Sequence, residues 1–430
     1  MTEHAHAVNA AVTGLSALPG AGKPFSSVLA MCRFLNHDAV TPAALVEPVQ
    51  DAVRRALADA AAPVALVAHD WCMFSFHTHA SKEDRYQRSH EHDLGYELST
   101  ALVIDPTSGR PLGPMEFRLR TADDLLTTRP GGATEPPGHL DELTAVMAET
   151  ARWNLGRPAV HVIDAEADSV AHYRRWAADG HRFLVRADVA RRVTWRGDSA
   201  LLRDVIDALA LQFRDIPEPG GRPLRAATRA GDGRVQVVET AVVLDRPAKT
   251  TVNGKKSDVP GPPLPLRLVL TRVVGDTGVV LAEWLLFTNA PAAFDAAEIA
   301  RWYCHRWRIE TYHKLLKTAG QNAEQWQQET GDAFFNRLIV ATMACLTVWH
   351  LRQDDSADAT RLKAVLVRLS GRQMKWKAAD TAPALLAGLE KLLALVNLMA
   401  TDDLADILAL ARRVLPTLFD TGQRKPAEKM

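Results

Sequence analysis

The sequence predicts an α/β fold: a mixed sheet that carries a β-rich insertion, with helical regions before and after it along the chain. Two short apolar runs, at 64–68 and 159–163, have the length of buried strands, and an aspartate closely follows each. A helical pattern at 168–178 connects the second run to another strand at 182–186. Strands that alternate with helices in this way are typical of a mixed α/β core.

The elements divide the chain into five predicted regions. Residues 1–62 are helical, and a Thr-Pro pair at 41–42 starts the second helix of that region. Residues 63–189 form the first part of the α/β core, with two further strands at 96–104 and 113–119. Residues 190–292 are the insertion, whose strands at 235–244, 266–274 and 279–287 are separated by Gly/Pro-rich loops. Residues 293–353 bring helices back to the core, and 354–430 add C-terminal helices.

Composition excludes several classes of protein. The 430 residues carry no formal net charge, so a nucleic-acid-binding surface would have to concentrate its cations locally. The four cysteines form no C-x-x-C pair, which argues for reduced thiols and against a disulfide framework. No secretory signal is apparent, and the longest apolar run, at 338–351, is too short to cross a bilayer. We therefore expect a cytoplasmic protein with no membrane contact.

The most informative segment is 301–317, with the sequence RWYCHRWRIETYHKLLK. On a helix that advances about 100° per residue, four polar side chains fall within an arc of roughly 60°: those of Tyr303, Arg306, Glu310 and Lys317. The single acid Glu310 lies among five cations, so the cations could hold phosphates while the acid binds a metal ion. The alternative is a solvated helix on which Arg306 and Glu310 form an ordinary i,i+4 pair.

The same residues carry a family resemblance. The spacing of Tyr303, Arg306, Glu310 and Lys317 resembles the Y-R-E-K signature of bacterial insertion-sequence DDE transposases of the insertion-sequence-four group, which includes the transposon-five transposase. The whole stretch YCHRWRIETYHKLLKTAG is similar to that family, and the resemblance extends from about 33 to 353. It implies a ribonuclease-H-like core interrupted by the β-rich insertion.

Two-metal phosphoryl transfer needs carboxylates from separate elements, and Asp70 and Asp164 supply them beside Glu310. The resemblance implies that these three acids bind two Mg²⁺ or Mn²⁺ ions. Around Asp164 the sequence VIDAEADSVAHYRRW resembles the family's second-aspartate motif, with Ala165 where the family usually has arginine. After Asp70 this chain has Trp-Cys where the family commonly has small hydroxyl residues. Taken singly, either aspartate could be a plain strand-end or turn acid.

Other candidate residues carry weaker signals. We interpret Glu166 as a structural neighbour and Asp168 as a helix cap. Trp284 matches a family tryptophan that stacks on a base flipped out of the duplex, although an aromatic residue in a strand is equally well explained as core. Four histidines in one polar stretch could suggest zinc, but no closed ligand spacing supports that reading; they are His77, His79, His90 and His92.

The resemblance implies cut-and-paste DNA transposition: hydrolysis at the transposon ends, followed by strand transfer by the freed 3′ hydroxyl. Tyr303, Arg306 and Lys317 would bind phosphates beside the cut. The partners would be the terminal inverted repeats and target DNA, in the bacterial cytoplasm and on the nucleoid. Family members cut as dimers, and helices at 359–415 could form that contact or an intramolecular bundle.

Two other functions remain open at this point. A transposase-derived DNA-binding protein or inhibitor would bind DNA without transposing it. The helical region before the first strand motivates this alternative, because 62 residues are fewer than we expect for an end-recognition domain. The third possibility is a ribonuclease-H-like nuclease that cuts structured DNA and belongs to no mobile element.

Overall fold

A computed structural model of the chain describes residues 24–132, 134, 138–218, 220–252, 255–372, 380–399 and 403–414. Residues 1–23 of the predicted helical N-terminal region and residues 415–430 of the predicted C-terminal helices lie outside these residues. The strands of the α/β core are β1 Ala65–Ser75, β2 Tyr86–Gln87, β3 Leu94–Ile104, β4 Pro111–Arg120, β5 Leu125–Thr127, β6 Ala159–Ile163 and β7 Arg182–Arg186. Those that follow are β8 Arg192–Trp195, β9 Asp198–Leu201, β10 Arg214–Asp215, β11 Arg225–Thr228, β12 Gly231–Leu244, β13 Ala248–Val252, β14 Lys255–Val259, β15 Leu264–Val274 and β16 Val280–Thr288.

The helices surround this sheet. The described ones are α1 Pro24–Leu35, α2 Pro42–Asp59, α3 His139–Glu149, α4 Val170–Ala178, α5 Leu202–Leu209, α6 Ala296–His305, α7 Trp307–Lys314, α8 Gly331–Gln353, α9 Ala357–Ser370, α10 Ala382–Met399 and α11 Leu404–Val414. Thr41 caps α2 as predicted, because its side chain accepts a hydrogen bond from the Ala44 amide.

The core strands follow the order β5-β4-β3-β1-β6-β7. β1 pairs in parallel with β6, and β6 in parallel with β7, while β3, β4 and β5 add antiparallel partners on the other side of β1. Three antiparallel strands joined at β1 to two parallel ones form the ribonuclease-H-like arrangement. The predicted fold class, a mixed α/β sheet with a β-rich insertion and flanking helices, is therefore confirmed.

The first core strand is longer than predicted. The apolar run at 64–68 was expected to end there, but β1 continues to Ser75, so Asp70 lies within the strand. The reason is its antiparallel partner: β3 pairs with β1 as far as Ser75, whereas the described ladder with β6 stops at Ala68. Asp70 thus keeps backbone partners on one side only.

The insertion extends the core sheet. β16 pairs antiparallel with β7, and the sheet continues through β15, β12, β8 and β9. Sequence analysis predicted β12, β15 and β16 but not the shorter strands between them, whose apolar runs are too brief to show a period of two. The hairpin of β13 and β14 forms a separate two-stranded sheet.

The two faces of the sheet have different cores. Even-numbered residues of β1 and β6, such as Leu66 and Val160, pack with side chains of α6, α7 and α8. Odd-numbered residues face the other way, where Ile163 packs with side chains of α3 and α4. Because strand side chains alternate between faces, the parity of a residue decides which helices it meets.

The apolar run at 338–351 lies within the longer helix α8. Among the described residues it is the one helix long and apolar enough to cross a membrane, and 72% of the apolar window is buried inside the protein. A helix enclosed in this way packs as a core helix of the protein.

Helix α10 packs within the chain along its first half. Leu385 and Leu386 are fully buried against the core, and the backbone of Leu366 on α9 closely approaches Gly388. Further along, Val396 is 54% exposed. The helical region at 359–415, which could form a dimer contact or an intramolecular bundle, is therefore partly used for packing within the chain.

A glycine in β3 tests how tightly the strand pair around Asp70 is packed. A Cβ atom on Gly95 would lie 1.8 Å from the Phe74 carbonyl oxygen of β1, and backbone cannot move aside as a side chain can. We expect Gly95→Ala to lower the free energy of unfolding by about 3 kcal/mol or more, measured by urea denaturation. Gly138→Ala is the matched control, since nothing lies within 4 Å of its added Cβ. Equal stability of the two variants would contradict the described packing.

Candidate active site

Asp70 within β1 and Asp164 directly after β6 hold matching positions relative to the β1–β6 ladder. The β1–β6 ladder pairs Ala68 with Val162, and each aspartate comes two residues later. Side chains two residues apart share a face, and adjacent strands are about 4.8 Å apart. Their even numbers put both carboxylates on the face that α6 to α8 cover, and they are close enough for the charge of Asp164 to act on Asp70.

Glu310 lies on helix α7, which packs on the same face of the sheet as these two acids. Helix α7 packs its Ile309 and Tyr312 into the same core cluster as the even-numbered residues of β1 and β6. The three acids feel each other's charge: burial raises the pKa of Asp70 to about 7, and the charges of Asp164 and Glu310 add to that rise. Arg306 opposes it. Three acids from distant parts of the sequence thus share one electrostatic environment.

Arg306 is the counter-ion of this cluster. Its guanidinium donates a hydrogen bond to the Glu310 carboxylate at 2.5 Å. Burial acts to lower the pKa of Arg306, but Tyr303 and the three acids outweigh it, so that pKa is raised. The Nη1 atom of Arg306 is buried without a hydrogen-bond partner in the described structure. The i,i+4 pair considered from sequence does form, but it is 8% exposed at Arg306 and not on a solvated face.

The segment predicted as one regular helix, 301–317, is interrupted twice. α6 ends at His305 and α7 begins at Trp307, with Arg306 between them in a tighter turn. After α7 the backbone widens into a π-helical turn, Leu315–Ala319, which carries Lys317. Turns of this kind are frequent at functional sites, and they explain why the segment departs from an ideal helical wheel.

Two of the predicted phosphate-binding residues, Tyr303 and Lys317, are more deeply buried than side chains on an exposed helix surface. Tyr303 is 7% exposed, and its ring centroid lies 6.3 Å from that of the half-buried Trp284. Lys317 donates a hydrogen bond to the Met73 carbonyl of β1, and its Nζ is 3.3 Å from a Glu324 carboxylate oxygen. Both side chains are therefore held by contacts within the protein.

The structure adds residues that sequence reasoning missed. Arg186 directly follows Val185, the last residue of β7 that pairs with β6, just as Asp164 directly follows its partner Ile163 on β6. It is exposed, and its charge helps to lower the pKa of Tyr303, which burial raises overall. Trp307 is 57% exposed at the start of α7. The shared strand-end position was the signal for Arg186 in the sequence.

His313 lies on the other side of Asp70. Its Nδ1 is 3.8 Å from an Asp70 carboxylate oxygen, and its Nε2 is hydrogen-bonded to Thr100. Burial lowers the pKa of His313 to about 3, assisted by Lys317 and Arg306. The imidazole is therefore neutral near pH 7, and the contact is not an ion pair. Its spacing of three residues from Glu310 on one helix was the available signal.

Asp168 does not cap the helix that follows Asp164. Ser169 occupies the N-cap of α4, and the Asp168 carboxylate instead accepts hydrogen bonds from Tyr173, the Asp188 amide and Arg191. Glu166 is exposed. The correction follows from the short 3-10 turn Ala165–Ala167, which moves the start of α4 along the chain.

The donor set suits a hard divalent cation. Three carboxylates offer only oxygen ligands, the type that Mg²⁺ and Mn²⁺ prefer. Among the described residues no three acidic, histidine or cysteine side chains are close enough together to hold an ion as they stand. Glu310 is engaged by Arg306 and would have to leave it to bind a metal. By chemistry and charge the residues fit such an ion, with one rearrangement.

The raised pKa of Asp70 predicts a stability difference that depends on pH. The folded state holds the Asp70 proton up to about pH 7, whereas the unfolded chain releases it near pH 4, so ionisation of Asp70 costs stability as pH rises between these values. We expect Asp70→Asn to be more stable than the wild type at pH 8 in EDTA, by up to about 4 kcal/mol, and equal to it near pH 4. Thermal denaturation measures this. A pH-independent difference would show that Asp70 is not buried among like charges.

Comparison with known proteins gives a family match and similarity to a solved structure. A protein-family profile described as "Transposase DDE domain" matches residues 124–347, just over half of the chain. The matched part includes Asp164 and Glu310, and Asp70 precedes it. Among solved structures, the piggyBac transposase in a synaptic complex with hairpin DNA is similar with a TM-score of 0.32 and 8% sequence identity. That similarity covers 89% of this chain and 63% of the other, so this chain spans less than two thirds of that protein's length.

Proposed function

The chain belongs to the family of transposase DDE domains, and from that premise we propose that it is a DNA transposase whose catalytic acids are Asp70, Asp164 and Glu310. One observation carries the assignment of residues: burial together with the charges of Asp164 and Glu310 raises the pKa of Asp70. The parallel register of β1 and β6 supports it independently. We also propose membership of the Y-R-E-K group, on the residues Tyr303, Arg306, Glu310 and Lys317.

The proposed reaction is cut-and-paste transposition. Water attacks a phosphodiester at the transposon end, and the P–O bond to the 3′ oxygen breaks. One fragment then carries a free 3′ hydroxyl, and the other carries a 5′ phosphate. That hydroxyl then attacks a target phosphodiester, so one P–O bond forms as another breaks. Terminal inverted repeats and target DNA are the proposed partners, with the protein acting as a homodimer on DNA.

Two Mg²⁺ or Mn²⁺ ions are the proposed cofactors, held by Asp70, Asp164 and Glu310. Such ions supply Lewis-acid stabilisation of the phosphoryl group and lower the pKa of a bound water. The residues of the chain do the rest: Asp70 and Asp164 present their oxygens from a rigid sheet, and His313 limits the freedom of Asp70 without adding charge.

Arg306 has two proposed partners. In the structure it pairs with Glu310; with DNA bound, its guanidinium would turn to a phosphate oxygen and release the Glu310 carboxylate. A guanidinium group binds phosphate and carboxylate oxygens with the same planar geometry. Arg306 can therefore form equivalent hydrogen bonds to either partner. Lys317, whose charge acts on His313, and Arg186, whose charge acts on Tyr303, are proposed to bind neighbouring phosphates.

Trp307 and Trp284 are both proposed to stack on DNA bases, but they differ in how accessible they are. Trp307 is largely exposed and could stack on an unpaired base as it stands, whereas Trp284 is half-buried and packs near Tyr303. Stacking of one base is worth about 1–3 kcal/mol. We therefore retain Trp284 as a proposed DNA contact and add Trp307.

Substitution of the acids tests the catalytic assignment. We expect Glu310→Gln and Asp164→Asn to reduce nicking of supercoiled plasmid in Mg²⁺ or Mn²⁺ by about 10²–10³-fold or more, with duplex binding retained. Glu166→Gln is the matched control, since this exposed acid lies two residues from Asp164 and should nick normally. If the wild type nicks DNA and Glu310→Gln nicks it equally well, Glu310 is not a catalytic residue. A wild type that binds DNA but does not nick it is better described as a DNA-binding relative without this activity.

Substitution of Arg306 tests the proposed exchange. Because Glu310 would no longer be held, we expect Arg306→Gln to show thermal stabilisation by Mn²⁺ at roughly tenfold lower ion concentration than the wild type. Nicking should fall, since a phosphate loses its partner. Lys314→Gln removes an exposed cation from the same helix and should leave the Mn²⁺ response unchanged. An unchanged Mn²⁺ response of Arg306→Gln would contradict competition between Arg306 and the metal.

A further inference from the structure

A cationic cleft opens between the start of α4 and the base of the β13–β14 hairpin. Its volume is about 490 Å³. Four positive side chains line it against two negative ones: Arg191, Arg192, Arg246 and Lys249 against Asp168 and Asp188. The cleft lies in the region of α4, which packs on the sheet face opposite to Glu310, so none of the proposed catalytic side chains takes part in it.

Hydrogen bonds fix both walls of the cleft. On one wall, Arg191 donates to the Asp168 carboxylate and carbonyl, and this uses the charge of Asp168 internally. On the other wall, Arg174 donates to the carbonyl oxygens of Leu244 and Arg246, which holds the turn between β12 and β13 in place. The cleft is therefore built by contacts that do not consume its outer cations.

Two guanidinium groups remain available to a ligand. Arg192 and Arg246 are exposed, and within the described part of the chain neither side chain has a hydrogen-bond or ion-pair partner. Lys249 is only loosely paired, with its Nζ 3.7 Å from an Asp258 oxygen. Several unpaired cations spread along one cleft suit a row of anionic groups, and arginine in particular binds phosphate through two parallel hydrogen bonds.

The position of the cleft identifies the row of anions. Asp168 is four residues after Asp164, and four residues span at most about 14 Å. Phosphates follow each other by about 3.4 Å of helix rise along one DNA strand. About four phosphate spacings therefore cover the largest possible distance between Asp164 and Asp168, so a strand whose scissile phosphate lies at Asp164 is long enough to reach the cleft.

We propose that this cleft is a second DNA-binding site, which holds the phosphodiester backbone a few nucleotides from the cut through Arg192, Arg246 and Lys249. The inference rests on the proposed function for the identity of the ligand. The distance from the cut also rests on the catalytic role of Asp164, whereas binding of a duplex by the cleft does not. It assigns to the insertion a direct grip on the substrate, separate from the cations of α6 and α7.

The test compares two double variants of the full chain with equal loss of charge. Arg192→Gln/Arg246→Gln removes the cleft cations, and Arg55→Gln/Arg361→Gln removes two exposed cations from α2 and α9. Binding to a random-sequence duplex is measured by fluorescence anisotropy over a salt series. Each lost phosphate contact reduces the slope of log K against log salt by about 0.9, so the cleft variant should lose about 1.8 and bind at least ~10-fold more weakly near 0.1 M salt.

The control variant should keep the wild-type slope, and thermal denaturation checks that both variants are folded. Equal slopes for the cleft variant and the wild type would overturn the proposal, as would a wild type that binds no duplex. Glu310→Gln in the same assay separates the two ideas. If its nicking is undiminished while the cleft variant still loses two contacts, the catalytic assignment fails and the cleft stands.

A neutral phosphate analogue then tests the position. On a duplex whose nick has been mapped, a methylphosphonate placed three or four nucleotides from the nick removes one charge from the backbone. The wild type should bind this duplex more weakly than the unmodified one, and the cleft variant should bind both equally. The same penalty in both proteins would place the contact elsewhere.

Discussion

The parallel register of β1 against β6 is the constraint on which the site depends. Ala68 opposite Val162 puts Asp70 beside Asp164, and a slip of one residue would turn one of the two carboxylates to the opposite face of the sheet. The register is set by apolar neighbours of the same parity, such as Leu66 and Val160, which are fully buried under the helices. The packing of the core thus determines where the acids meet.

Charge balance is the second constraint, and it follows from the first. Gathering three partly buried acids costs free energy, which appears as the raised pKa of Asp70. Arg306 offsets part of this cost from a buried position between α6 and α7. In the proposed exchange, a divalent ion replaces Arg306 as the partner of Glu310, and the apolar packing around Arg306 stays in place. The irregular backbone at Arg306 and after Lys314 provides local freedom for such an exchange.

Much of the fold could be predicted from the sequence, because its long strands and helices have clear periodicity. β6 and β7 were predicted at their observed bounds, and the mixed sheet follows from the alternation of elements. The extension of β1 through Asp70 could not be predicted, since it depends on pairing with β3. The sequence nominated the acids, but the burial of Tyr303 and Arg306 and the presence of Arg186 at a neighbouring strand end depend on contacts between distant segments.

The pairing of β16 with β7 has a mechanical consequence. Leu286 lies opposite Arg186, so the strands of the insertion and the strand next to Asp164 belong to one continuous hydrogen-bonded sheet. A sheet of this kind resists hinge motion, because bending it would break several backbone hydrogen bonds together. A closing motion of the insertion toward the acids would therefore not help to bind a duplex that is held at both places. The duplex must adapt its own curvature to a stiff template, and bending a site of 20–30 base pairs costs on the order of 1–6 kcal/mol. Sequences that deform easily would then be favoured without any contact to their bases.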